Sequence, residues 1–237
     1  MSMTQKEPRT KKPWPTKDAM EQIYEKKLWG GGEAFDFYSG AGSHQAELLE
    51  PYVDAVSSFL NSFETPLTVC DLGCGDFNVG KQLVAHTKKY LGVDIVPKLI
   101  DRNQSTFKAY NLEFLCLDIA EDEWPAADCV LLRQVLQHLS NAEVQRIVSK
   151  LANYPYVIVT EHLPQGSFTP NKDILSGQGI RLKVQSGIDL LVPPFNLQVK
   201  HSRQLLTVDL NNGKGVIATT VYELYQVGNE GNQARFS

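Results

Sequence analysis

The chain has 237 residues, enough for one α/β domain with a full core and some extra segment, but short for two independent domains. Hydrophobic residues make up 42% and charged residues 21%, and no apolar run approaches the ~18 residues of a bilayer span, which argues against a membrane protein. The formal net charge of −4 also speaks against nucleic acid as a partner, since that calls for a basic face.

Residues 1–17 hold Pro8, Pro13 and Pro15 and a small basic run at Lys6, Arg9, Lys11 and Lys12. They read as a flexible basic tail with no apolar stretch behind it, against a secretory signal and for a cytoplasmic address. Asp18 reads as the N-cap of a helix through Tyr24 and Leu28, stopped by Gly30-Gly31-Gly32 after Trp29. Phe35 to His44 is rich in aromatic and small residues, which suits a packed loop or a flap over a ligand. Leu48, Leu49, Tyr52, Val53, Val56, Phe59 and Leu60 then recur at helical spacing, predicting a helix packed on the sheet beside the first strand.

The centre of the chain is Leu67 to Gly80. Leu67, Val69, Cys70 and Leu72 read as a buried strand broken by Gly73-Cys74-Gly75, with a helix expected over Val79–His86. Such a strand, glycine turn and helix cradle a nucleotide, because glycine admits a ligand close to the backbone. Asn78 stands where a dinucleotide fingerprint needs its third glycine, and Gln82 stands where a phosphate-binding loop needs Ser or Thr. What remains, Asp71-Leu72-Gly73-Cys74-Gly75-Asp76, resembles motif I of the class I S-adenosylmethionine-dependent methyltransferases.

That resemblance implies a Rossmann-like α/β fold: a seven-stranded, mostly parallel sheet with an antiparallel C-terminal hairpin and helices on both faces. It implies that the loop of Asp71, Gly73, Cys74 and Gly75 carries the methionine end of S-adenosyl-L-methionine, with S-adenosyl-L-homocysteine as product. The front segment, Trp29-Gly30 and Ser39-Gly40-Ala41-Gly42-Ser43, is similar to one in small bacterial members. Residues 18–62 are therefore expected to form a helical lid, or alternatively a helix pair that shields the sheet edge.

Tyr90–Asp94 reads as the second strand, and an acid at its tip accepts hydrogen bonds from ribose hydroxyls. Asp94 fills that role, with Ile95 or Val96 against the adenine. The third strand, Glu113–Leu117, ends at Asp118 and Ile119, where an acid meets the adenine amino group in this fold. Three acids, Asp71, Asp94 and Asp118, thus mark the carboxyl ends of three successive strands, the edge where ligands bind in open α/β sheets.

Asp128–Leu132 reads as the fourth strand. The family places the following segment beside the transferable methyl group, which makes Arg133, Gln134 and His138 its first polar candidates. For His138 a structural role, tying loop to helix through ring hydrogen bonds, is preferred. Tyr156–Thr160 is the fifth strand, ending at Glu161 and His162. Residues 163–200 then lose regular pattern and read as a substrate segment, with Arg181, Lys183 and Asp173 as polar contacts and Pro193-Pro194-Phe195 as an apolar wall. Leu205–Leu210 and Gly215–Tyr225 around Asn211-Asn212-Gly213 form a hairpin. The methyltransferase domain spans 63–227, and 228–237 read as a loose tail.

Cys70, Cys116 and Cys129 lie in runs read as buried strands, and without a Cys-x-x-Cys pair neither zinc nor a disulfide is expected. No metal is assigned. The reaction implied is in-line methyl displacement to an oxygen or nitrogen of a small-molecule or sugar-like acceptor, with His162, His138 and His44 as bases in that order. Arg133 and Glu161 are further catalytic candidates, Glu161 as an acceptor-binding group. The alternatives are a non-catalytic binding protein on the same fold, and an RNA methyltransferase guided by the basic tail. A homodimer is allowed for.

Overall fold

The structure is a computed structural model and describes residues 14–211 and 213–225. The basic run from Lys6 to Lys12, the tail at 228–237 and Asn212 of the hairpin turn lie outside the described residues. Seven strands form one sheet: β1 (Thr68–Leu72), β2 (Lys89–Asp94), β3 (Leu112–Cys116), β4 (Cys129–Arg133), β5 (Tyr156–Leu163), β6 (His201–Asp209) and β7 (Val216–Glu223). Their order is β3-β2-β1-β4-β5-β7-β6. β1 to β5 run parallel and β7 is antiparallel to both β5 and β6.

The parallel strands are covered on both faces, so their side chains alternate between two cores. Val69, Leu131 and Ile158 point to one core, which also takes Tyr52, Val56, Phe59 and Leu60 of helix α2 (Ala46–Leu60). Cys70, Leu132 and Val157 point to the other, shared with Met20, Ile23 and Tyr24 of α1 (Thr16–Glu25) and with α4 (Asn141–Leu151). Helix α3 (Pro97–Thr106) supplies Leu99 to this second core and Ile100 to the first. The fold is the Rossmann-like, seven-stranded arrangement with a C-terminal hairpin that the sequence implies.

Several elements differ in detail from the sequence expectation. α1 starts at Thr16, two residues before Asp18, with Pro15 at the N-cap position. No α-helix forms over Val79–His86. The chain instead makes two short 3-10 turns, Gly80–Gln82 and Val84–His86, anchored by buried Phe77 and Leu83. The reason is one of length. After the glycine loop the chain must run back along β2, roughly 20 Å for six residues. About ten residues cover that distance at the ~2.0 Å rise of a 3-10 turn, and fall short at the ~1.5 Å rise of an α-helix.

Cys116, expected to be buried, is exposed, because it ends the edge strand β3. Pro193-Pro194-Phe195 forms no cavity wall: Phe195 is 4% exposed and packs in the core with Leu190 and Leu197. After β5 the chain is irregular up to β6, apart from the 3-10 turn Arg181–Val184.

Candidate active site

The sheet order reverses between β1 and β4, and the crevice beyond their carboxyl ends is where an open α/β sheet receives ligands. A cavity of about 420 Å³ opens there, within the range of small-molecule sites. All ten residues expected to hold the cofactor line it: Asp71, Gly73, Cys74, Gly75, Asp94, Ile95, Asp118, Ile119, Arg133 and Gln134. Val96, the alternative to Ile95, is instead 2% exposed in the core.

The glycine loop is built for close approach. Gly73 and Gly75 have φ of +84° and +56°, and a Cβ on Gly73 would run into Val135 while one on Gly75 would run into Ser39. The loop amides are held from below by β2: the Gly73 and Cys74 N–H groups donate to the Val93 carbonyl at 2.8 and 2.9 Å. Asp94 accepts from the Gly75 amide with one oxygen and from the Val96 amide with the other, both at 3.1 Å. Two of the roughly four lone-pair positions of a carboxylate are thus used, leaving others for a ligand.

Asp71 accepts from the Tyr90 hydroxyl at 2.8 Å. Burial pushes its carboxyl up to about 6, opposed by the Tyr90 hydrogen bond and the Arg133 charge. Burial likewise raises Asp94 to about 6, opposed by the Val96 and Gly75 amides. Asp118 is less enclosed and accepts from the Ala120 amide at 2.9 Å.

Arg133 leaves β4 with its guanidinium 4.8 Å over the Tyr52 ring. It donates to the Gly42 carbonyl at 2.6 Å and to the Ser43 hydroxyl at 3.2 Å. Among the described residues its Nε is buried without a partner, and no carboxylate lies within ion-pair distance. Asp76 faces the same front segment: it accepts from the Ser39 amide at 2.8 Å and pairs with His44 Nε2 at 2.6 Å. Asp76 and Arg133 therefore clasp residues 39–44 over the cavity, where Tyr24, Trp29, Ser39, Gly40, Gly42 and Ser43 complete the lining.

The acceptor-side candidates divide. His138 lines the cavity; His162 and His44 do not. The His162 Nε2 donates to the Lys214 carbonyl at 2.7 Å, away toward the hairpin, and His44 is stacked on Tyr38 with centroids 4.3 Å apart. At His138, Nδ1 faces the Gly177 carbonyl at 3.1 Å and must carry the proton. Nε2 then accepts from Gln137 Nε2 at 3.4 Å, and Gln137 Oε1 accepts from the His162 amide at 3.2 Å. Burial pushes the His138 imidazole down to about 4, so the ring is neutral.

Glu161 is 3% exposed and does not reach the cavity. Arg181 is 1% exposed and bonded to backbone carbonyls, and Asp173 accepts from the Asn141 amide at 2.7 Å. Of the polar contacts expected from 163–200, Lys183 lines the cavity. Sequence reasoning did not single out Tyr24, Tyr90 or Gln137, and placed Tyr52 only on a core face. Their hydroxyl or amide groups meet Ser39, Asp71 and His138 across 15, 19 and one positions, and the two tyrosine contacts carry no local signature.

The raised carboxyls have a measurable consequence. Asp94 holds its proton up to about pH 6 in the fold and to about 4 when unfolded, so its contribution is fully present below pH 4 and lost as pH rises through 6. His138 acts oppositely over part of that range, so the comparison is made against a variant. Relative to the parent, Asp94→Asn is expected to gain on the order of 3 kcal/mol of stability between pH 4 and pH 7 without ligand. Urea denaturation at both pH values measures it, and a difference independent of pH rules the assignment out.

Comparison with known proteins agrees with this geometry. Residues 69–154 match the family model of a methyltransferase domain. Over 131 residues the chain is 28% identical to carboxy-S-adenosyl-L-methionine synthase of Helicobacter hepaticus, a match covering 51% of this chain and 54% of that protein. The chain thus spans about half the length of that curated relative. Among solved structures it resembles the N-methyltransferase NodS of Bradyrhizobium japonicum WM9 in complex with S-adenosyl-L-homocysteine. The TM-score is 0.61 at 13% identity, covering 87% of this chain and 99% of that one. It also resembles the 1,6-didemethyltoxoflavin-N1-methyltransferase of Burkholderia thailandensis with bound 1,6-didemethyltoxoflavin and S-adenosylhomocysteine. Here the TM-score is 0.55 at 13% identity, covering 88% and 87%. Residues 69–154 thus match a methyltransferase domain, and the sheet order is that of the fold shared with these S-adenosylhomocysteine-bound methyltransferase structures.

Proposed function

We propose that the chain transfers a methyl group from S-adenosyl-L-methionine to an oxygen or nitrogen of a small-molecule acceptor. The observation that carries this reading is the convergence of Asp71, Asp94, Asp118 and Arg133 on one cavity around a glycine loop that tolerates no Cβ. The fit is chemical as well as spatial. Asp94 has lone pairs left for two vicinal hydroxyls, Asp118 an acceptor for an amino group, and Asp71 and Arg133 opposite charges for an amino-acid end.

Bound there, the cofactor supplies a sulfonium methyl carbon open to in-line attack. The chain's part is to orient, enclose and exclude water. Within residues 18–62 the front segment acts as the lid: Asp76 and Arg133 hold 39–44 closed, and the Trp29 ring stands 5.2 Å from His138. Holding nucleophile and methyl carbon in line in such an enclosure supplies most of the acceleration. Where the acceptor loses a proton, the neutral His138 ring is the base at hand. A small acceptor suits an enclosed cavity, and one neighbour on this fold is seen with a small acceptor and S-adenosylhomocysteine together.

Calorimetry with S-adenosyl-L-methionine and S-adenosyl-L-homocysteine tests the cofactor, with micromolar affinity for both expected. Labelled methyl incorporation from a fractionated metabolite extract tests the acceptor class. Binding to neither nucleoside ends the proposal, and label appearing only in RNA redirects it.

A further inference from the structure

The 3-10 turn Leu136–His138 leaves β4 along the cavity wall, and two buried ionisable side chains that lie outside the cavity hold both its ends. On β5, Glu161 accepts from the Leu136 amide with one oxygen at 3.1 Å and from the Gln137 amide with the other at 3.0 Å. Arg181 reaches in from the irregular segment between β5 and β6. Its Nη1 donates to the Leu136 carbonyl at 2.8 Å, and its Nη2 to the Leu139 carbonyl at 2.7 Å and to Asn141 Oδ1 at 2.8 Å.

Burying an acid and a guanidinium that form no direct ion pair is costly, and Arg181 Nε has no partner among the described residues. Packing alone would favour apolar residues at both places. What the two side chains provide is a defined backbone: each of their bonds ends on a main-chain group of 136–139 or on Asn141 at the start of α4. The same stretch carries Gln137, His138 and Leu139 into the cavity wall.

We propose that Glu161 and Arg181 are a positioning pair, which fixes the backbone after β4 so that Gln137 and His138 meet the ligand in one arrangement. Through Arg181 the segment between β5 and β6 becomes part of the cavity's construction without touching its contents. This rests on the cavity being the cofactor site. The local signature of the device is the tautomer of His138, whose Nδ1 proton is pinned on the Gly177 carbonyl only while the turn stays in place.

The experiment uses the full chain with Glu161→Gln, Arg181→Lys and the double variant, each checked for folding by circular dichroism. S-adenosyl-L-homocysteine affinity is read by calorimetry and the His138 ring by nitrogen-15 NMR. Glutamine keeps one acceptor and lysine keeps the charge without the fork, so each single variant is expected to lose roughly tenfold in affinity. The double variant should lose little more than the weaker single, and His138 should populate its other tautomer. Folded variants with parental affinity and an unchanged ring, or losses that simply add, overturn the proposal. Should Arg181→Lys not fold, Glu161→Gln decides on both readouts. If the parent itself does not bind the nucleoside, the cofactor reading fails and the ring signature alone decides the positioning role.

Discussion

Asp94→Ala is expected to lower affinity for S-adenosyl-L-homocysteine at least about 100-fold while leaving the protein folded. Charge-assisted hydrogen bonds are worth about 1.5–3 kcal/mol each, and two to a ribose diol sum to at least ~3 kcal/mol, which is the stated factor. The variant also releases the Gly75 and Val96 amides, which loosens the loop that the ligand backs onto. Asp94→Asn separates these contributions, since it retains one carbonyl oxygen for an amide or a hydroxyl and should fall between the two. Calorimetry on the three proteins gives the order. An Asp94→Ala protein that binds as well as the parent removes the ribose assignment, and with it the main support for this cofactor.

The second large effect is expected at Arg133, and it is selective. The guanidinium has two of its five N–H groups engaged by the front segment and no acid paired with it among the described residues, although burial lowers its pKa. A carboxylate in the cavity would complete it bidentately, with Asp71 taking the ammonium of the same amino-acid end. Arg133→Met should therefore weaken S-adenosyl-L-homocysteine by roughly 30-fold or more, about 2 kcal/mol or above. Binding of 5′-methylthioadenosine, which has the adenosine and the sulfur but no amino-acid end, should change far less. Loosening of Gly42 and Ser43 would weaken both ligands alike, so the ratio of the two losses isolates the carboxylate contact. Equal losses assign Arg133 to the lid clasp alone.

Much of this was legible along the chain because the relevant signals are local. Continuous apolar runs gave five parallel strands to within a residue or two at most ends, although β5 continues three residues past Thr160. Gly73 and Gly75 announced the tight loop, and Asp71, Asp94 and Asp118 at or beside the ends of the first three strands marked the ligand edge. Helix α4 carries a start signal that went unread: the Ser140 and Glu143 side chains form a reciprocal cap ahead of Val144, Ile147 and Val148.

The roles of Glu161 and Arg181 were not legible, since their partners lie 24 to 45 positions away in the sequence. A polar residue after a strand or in a long loop reads the same whether it faces a ligand or a buried turn. For the same reason the sequence did not show that the His162 ring bonds to Lys214 of the hairpin, or that the His138 ring bonds to Gly177 in the segment after β5 rather than to the following helix. The expected helix after the glycine loop failed on distance, which residue preference does not encode.

The two short turns that replace that helix change the electrostatics of the loop they follow. A full helix would place the equivalent of about half a positive charge behind the glycine loop. Here that diffuse field is absent, and discrimination among ligand end groups falls to point charges on side chains. Such charges discriminate most sharply at hydrogen-bonding contact, where geometry is read as well as sign. The pocket should therefore tolerate changes to a ligand far from Arg133 and Asp71, and be unforgiving of a lost or reversed charge beside them.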